Sequence, residues 1–260
     1  MSRIVADMHV HSTHSFDGKN SIEEMCAAAI EQGISQLCFT EHYDVNPHSS
    51  AAGYFSLAEF QNDINKCRKQ FGSELEILHG VEFGEPHYHQ EEFAALSQAG
   101  FDVILGAVHR VGNTPIIELA KGHSVGETFR LYYEEILAMV EFGQFDVVAH
   151  IDLPKRYLGA SGSDYTLLKK IFAIMAKKGI ALEINTSTYN AAVREPSPNL
   201  EIVKLWKLAG GEKLVIGSDA HSVGAVSQFF PETKELITQV GIGYGFFRKR
   251  KYQHAKIGGR

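Results

Sequence analysis

Asp7, His9, His11, His14 and Asp17 fall within the twelve residues of DMHVHSTHSFDG, directly behind a short apolar run. Residues two apart on a strand project to the same side, so His9 and His11 can grip one ion. The chain supplies more groups of this kind, each at the end of an apolar run. They are His42 in FTEH, Glu82 in HGVEF, His109 in GAVH, His150 in VVAH, Asn185 in LEIN, and Asp219 and His221 in IGSDAH. Imidazoles and carboxylates together suit zinc, iron or manganese, and without a thiolate cluster a structural cysteine-type zinc site is not expected. So many donors exceed the needs of one ion and imply two or three. Glu82, ending a central strand, is placed to bridge two of them. Bridged ions lower the pKa of a shared water and clamp the oxygens of a phosphoryl group in flight.

The elements that must position these groups follow from periodicity. Strand-length apolar runs, IVADMHV, QLCFTEH, LEILHGVEF, DVILGAVH, FDVVAH, IALEIN and KLVIGSD, alternate with helical stretches starting near Ser21, Ser56, Gln90, Ser124, Ser163, Asn199 and Gly224. Ser21/Glu24, Ser56/Glu59 and Ser124/Glu127 have the capping-box spacing, and Gly33, Gly72, Gly143 and Gly179 stand where a left-handed residue closes a helix. Uniformly apolar strands alternating with helices imply a parallel sheet covered by helices. Seven repeats without a linker predict one α/β domain over residues 1–260, a closed or nearly closed barrel. The strand ends then converge on its C-terminal face, where barrel enzymes keep their active sites. GIGYGF near the end follows a helix, so it is not a dinucleotide fingerprint.

Composition sets the outer bounds. A net charge of −6 argues against broad nucleic-acid binding, and RKRK (Arg248 to Lys251) reads as a solvated tail. No window has the length of a membrane span, and MSRIVADM lacks a signal-peptide core. Cys26, Cys38 and Cys67 form no paired spacing, so a disulfide framework is not expected and a reducing cytoplasm is the expected compartment. Cys38, Phe172 and Trp206 read as core, and His123 as a helix-entry residue without a ligand role.

DMHVHSTHSFDG, FTEH, HGVEFG, GAVH, VAHID, EIN and IGSDAH resemble, in order, the motifs of the polymerase-and-histidinol-phosphatase (PHP) family along the whole length. Chain size, HIDLPKRY and SPNLEIVKLWKLAGG look most like its stand-alone histidinol-phosphate phosphatases. The resemblance implies a distorted (β/α)7 TIM-like barrel holding three divalent ions, zinc first, with iron or manganese as alternatives. By the same resemblance one ion takes His9, His11, Glu82 and Asp219; a second shares Glu82 and adds His109 and His150; a third takes Asp17, His42 and His221. Three such ions less three carboxylates leave an excess of about +3, which a phosphate monoester dianion and one hydroxide would cancel and a neutral amide would not.

The implied reaction is hydrolysis of L-histidinol phosphate by a hydroxide bridging the ions. Asp17 and His42 stand closest to the leaving group as acids. Arg156 and Arg194, on loops beyond strand ends, are the expected phosphate clamps, with Arg110 a weaker third. His14, Glu85, His87 and Glu118 are the candidates for the ammonium and imidazole of that substrate; Tyr88 and His89 share the loop of Glu85 and His87, and Phe16 and Tyr43 flank ligands. The rival readings are a PHP phosphoesterase for nucleotides or phosphopeptides, a non-catalytic metal-binding PHP module, and an amidohydrolase. Against the last, no strand ends on lysine.

Overall fold

The barrel strands are apolar along their length because both faces are covered. In the computed structural model, which describes residues 3–160, 162 and 165–255, they are β1 (Ala6–Val10), β2 (Gln36–Tyr43), β3 (Glu76–Gly84), β4 (Val103–Ala107), β5 (Val147–Val148), β6 (Ala181–Asn185) and β7 (Leu214–Gly217). They form one parallel sheet in chain order. Just past β7 the chain turns back onto β1: the Asp219 amide donates to the His9 carbonyl at 2.7 Å, and the His11 amide to Ala220 at 2.8 Å. These two bonds close the ring as expected, and they sit among the candidate ligands.

The connecting helices are α1 (Ile22–Glu31), α2 (Leu57–Phe71), α3 (Gln90–Leu96), α4 (Ile116–Gly122), α5 (Val125–Phe142), α6 (Lys155–Leu158), α7 (Tyr165–Lys178), α8 (Leu200–Leu208) and α9 (Phe230–Val240). Their buried faces pack on the sheet; Phe172 of α7 meets Trp206 of α8 edge to face at 5.4 Å. Cys26, Cys38 and Cys67 are buried and unbridged. No helix among the described residues is long and apolar enough to cross a membrane.

One of the three expected capping boxes forms in full, and several other local expectations are corrected. Ser21 and Glu24 form the full reciprocal box, Ser124 accepts only from the Glu127 amide, and Ser56 makes no side-chain cap. Gly72 closes α2 in the right-handed region, φ −63°. The last helix begins at Phe230 rather than near Gly224, after a left-handed Phe229 and with a proline in its first turn, where the missing amide hydrogen costs nothing. The start expected near Ser163 lies outside the described residues.

The basic run is not a solvated tail. It turns between two antiparallel strands, β8 (Gly245–Arg248) and β9 (Lys251–His254), that cover the N-terminal end of the barrel. Arg248 Nε donates to Glu76 at 2.6 Å, Arg250 pairs with Asp146, and the Lys249 amide donates to Asp102 Oδ1 at 3.0 Å. All three acids lie at or just before strand starts; Arg248 and Arg250 neutralise Glu76 and Asp146 there, and Arg68 pairs with Asp102 at 3.3 Å.

Candidate metal centre

His9, His11, Asp17, His42, Glu82, His109, His150, Asp219 and His221 are brought together at the C-terminal end of the barrel. His9 and His11 project inward from β1, their Nε2 atoms 3.0 Å apart. Both face Glu82 Oε2, at 3.4 and 3.6 Å, and Asp219 Oδ1, at 3.7 and 3.4 Å. The other oxygen of Glu82 faces a second pair: Oε1 lies 2.7 Å from His150 Nε2 and 3.3 Å from His109 Nε2. The buried Glu82 carboxylate therefore divides its oxygens between two imidazole pairs. Toward the rim, Asp17 Oδ2 is 3.3 Å from His221 Nε2 and its Oδ1 is 3.7 Å from His42 Nε2.

The tightest groupings differ from the three expected sets: His11 and His42 are each shared, and Asp17 and His150 stand outside them. His42 also reaches inward, with Nδ1 2.8 Å from Glu82 Oε2. The tight triads are His9–His11–Asp219, His11–His42–His221 and His42–Glu82–His109. His11 and His42 thus stand between neighbouring sets.

The electrostatics show what the cluster lacks. Burial alone would raise Glu82 and Asp219. His9, His42 and His109 hold Glu82 well below the usual carboxylate range, and His9, His11 and Arg156 do the same for Asp219. His42, which burial would lower, is pushed up to about 10 by Glu82 and Asp17. His11 goes the other way, lowered by burial and by the cations of His221 and His42. Protons on these rings are poor substitutes for divalent cations, because each proton opposes the next. His150 Nδ1 is buried without a hydrogen-bond partner, a costly arrangement for a polar atom, and Glu82 Oε2 is crowded by the nitrogens of His9, His11 and His42 at 2.8–3.6 Å. A buried nitrogen-and-oxygen donor set packed this closely, with His150 Nδ1 unpartnered, fits zinc-type ions.

A supporting layer fixes the rings. Glu183 Oε1 is 2.6 Å from His9 Nδ1, and its Oε2 accepts the His150 amide at 2.7 Å. Ser15 Oγ lies 3.0 Å from His11 Nδ1 and donates to Glu41 at 2.6 Å. Such carboxylate–imidazole contacts set the tautomer and orientation of a ligating ring. Asp7 takes the amides of Ser218 and Ser227 and stitches the β1–β7 seam. Sequence reasoning missed Glu183 and Glu41 and gave Asp7 no role; their signal is a carboxylate inside an otherwise apolar strand. His150 and Asp219 have positive φ, 26° and 52°, a conformation that non-glycine residues adopt under constraint from their surroundings.

The cluster forms the floor of a cavity of about 460 Å³ whose walls include Phe16, His48, Arg110, Ile117, Arg156 and Tyr157. Arg156 Nη2 donates to Asp219 Oδ2 at 2.9 Å and to Ser187 Oγ at 2.6 Å. Arg110 is buried in the wall, with Nη2 on the His48 carbonyl at 2.7 Å. Arg194 is exposed on a turn with φ 49° and is not among the lining residues.

The four residues expected to meet the organic part of a substrate are turned elsewhere. His14 Nε2 faces Asp63 at 3.2 Å. Glu85 is buried, with Oε1 accepting the His109 and Arg110 amides, and burial raises it to about 7. His87 bonds Glu135 at 2.6 Å. Glu118 lies on α4, not in a loop, and makes an exposed pair with Lys121. His123 bonds the Leu119 carbonyl just past the end of α4, away from the ligands. Asn185 bonds Ser187 and Glu183 beneath the cavity.

Comparison with known proteins bears on this geometry. The PHP domain model matches residues 7–187. A probable histidinol-phosphatase of Thermotoga maritima is 31% identical over 240 residues, covering 92% of this chain and 93% of the relative. One of Deinococcus radiodurans is 28% identical over 259 residues, covering 96% and 98%. The crystal structure of histidinol phosphate phosphatase from Lactococcus lactis, complexed with zinc, L-histidinol and phosphate, superposes with a TM-score of 0.84 at 24% identity, covering 97% of this chain and 99% of that one. That likeness is one of fold. With the PHP match spanning most of the chain and every candidate ligand gathered at one end of the barrel, this protein belongs to the PHP domain family.

Proposed function

We propose that this chain is a metal-dependent phosphomonoesterase that hydrolyses L-histidinol phosphate to L-histidinol and phosphate. The observation that carries the proposal is the divided Glu82 carboxylate, one oxygen on His9 and His11 and the other on His109 and His150, below a cavity walled by Arg156. The substrate assignment is supported by near full-length similarity to proteins named as probable histidinol-phosphatases. A cavity of about 460 Å³ lies at the small end of ligand sites, in keeping with a small phosphoester.

In this proposal His9, His11, Glu82 and Asp219 hold one ion, Glu82, His109 and His150 a second, and Asp17, His42 and His221 a third, with zinc the best fit. Bound divalent ions supply an activated water near neutral pH and neutralise phosphoryl oxygens. The rest falls to the chain's own residues. Arg156 presents its guanidinium beside Asp219 at the cavity wall and takes the phosphoryl oxygens in a planar fork. Arg194, on the loop after β6, lies outside the cavity lining and would serve as a second clamp only by swinging inward. Glu183 and Ser15 keep the His9 and His11 rings facing inward. Asp17, with a side chain 38% exposed, is the ligand open to the rim. Its carboxylate, held ionised against burial by His221 and His42, orients a water that carries a proton to the leaving oxygen. Full turnover in Asp17→Asn with unchanged metal content would remove it from that role.

The test is phosphate release from L-histidinol phosphate beside other phosphomonoesters, with metal counted on the same sample. Strong preference for histidinol phosphate with two to three ions per chain is the expected result. Broad or nucleotide-biased turnover overturns the substrate, and no turnover at full metal content overturns the enzyme.

A further inference from the structure

Arg156 sits on α6, a helix of four residues. One isolated turn is not stable by itself, so something else must fix the guanidinium. Next to it Lys155 is fully buried. Its ammonium lies 2.9 Å from Asp152 Oδ2 and 3.4 Å from Glu195 Oε1, and it donates to the Pro196 carbonyl. Asp152 in turn accepts from Ser197 Oγ. Ser197 exchanges both backbone hydrogen bonds with Asn185 at the end of β6, at 2.7 and 2.9 Å. Asn185 Oδ1 accepts from Ser187 Oγ at 2.6 Å, and that hydroxyl oxygen accepts from Arg156 at 2.6 Å. The contacts close into a ring that leaves Lys155 and returns to its neighbour.

We infer that Lys155 and Asp152 are positioning residues for Arg156, a buried ion pair that sets the guanidinium over Asp219 through this ring. The inference rests on the phosphatase proposal. A buried lysine–aspartate pair is a poor source of stability, because desolvating two charges offsets their attraction. Its effect here is geometric: it ties the loop after β5 to the loop after β6, and the hydroxyl of Ser187 receives Arg156 where the two meet.

The experiment is a double-mutant cycle on zinc-loaded enzyme. Lys155→Met with Asp152→Asn removes both charges together and leaves no lone buried ion. Arg156→Ala removes the group being positioned. Displacing a clamp by about an ångström costs roughly 100-fold, so the expected loss in kcat/KM for L-histidinol phosphate is ~10- to 100-fold at unchanged zinc content. In the Arg156→Ala background the same pair of changes should cost less than ~2-fold, because nothing remains to be positioned. If the double change does not fold, Ser187→Ala breaks the ring at a hydroxyl and is read by the same cycle. Equal losses in both backgrounds, or wild-type kcat/KM after the ring is broken, overturn the inference alone. A wild-type holoenzyme inactive on both L-histidinol phosphate and p-nitrophenyl phosphate overturns the proposed function and the inference with it.

Discussion

The two ends of the barrel both bury charge and treat it in opposite ways. At the N-terminal end each acid meets a base of the same chain: Glu76 with Arg248, Asp146 with Arg250, and Asp102 with Arg68 and His79. At the C-terminal end Glu82 and Asp219 face imidazoles that also face one another, and the buried His150 Nδ1 has no hydrogen-bond partner. Charge complemented from within the chain closes a structure. Charge left for an outside cation to complement marks a site. The Lys155–Asp152 pair flanks the cluster, and Arg156 reaches it only at the outer oxygen of Asp219.

Removing the outside cation should have the largest effect. Chelation is expected to abolish phosphate release and lower Tm, with both restored by zinc; a ligand at 100 times its Kd stabilises by about 2.7 kcal/mol. Glu82→Gln should lose roughly 10³-fold or more in turnover, the equivalent of about 4 kcal/mol of charge stabilisation, and most of the zinc-induced rise in Tm. A rise equal to that of the wild type would show that Glu82 does not hold metal.

Next in size is the supporting layer. Glu183→Gln keeps the shape but weakens the grip on His9 Nδ1, and a loss of about 10- to 100-fold in zinc affinity or activity is expected. Titration against a competing chelator measures it. Unchanged affinity together with unchanged turnover would reduce Glu183 to a contact within the core.

The N-terminal end should respond in stability and not in catalysis. Burial would raise the Asp102 carboxyl, but His79 and the Lys249 amide more than offset this and lower it. A carboxyl with a depressed folded-state pKa stabilises above its unfolded value, near 4, and that contribution is lost as pH falls toward the folded value. Asp102→Asn should therefore cost about 1.5–3 kcal/mol at pH 7, with a smaller gap from the wild type near pH 3, while kcat and zinc content stay unchanged. Urea midpoints at the two pH values decide it, and a gap that does not narrow on acidification would mean the charge of Asp102 is not what stabilises.

The contrast also explains what could be read from the sequence. Eight of the nine candidate ligands were legible because they stand at the ends of apolar runs, Asp17 came only from the family resemblance, and strand order was legible because strands and helices alternate. Glu183 was not, because the sequence shows a charge inside LEIN but not that His9, 174 residues away, receives it. The same distance problem hid Arg248, whose partner Glu76 is 172 residues away. His14, His87 and Glu118 show the converse. They lie near motif residues in the chain, but Asp63, Glu135 and Lys121 claim their side chains.

Glu118 gives the smallest expected effect and a sharp test of the cavity wall. Its neighbour Ile117 lines the cavity, whereas Glu118 is about half exposed and paired with Lys121 one helical turn on. An exposed pair of this kind contributes about 0–1 kcal/mol, so Glu118→Ala should move stability by no more than that and leave KM for L-histidinol phosphate unchanged. A clear rise in KM at unchanged Tm and zinc content would place the carboxylate against the substrate ammonium. It would also require α4 to turn toward the cavity when substrate binds, bringing outside charge and chain charge together at the rim.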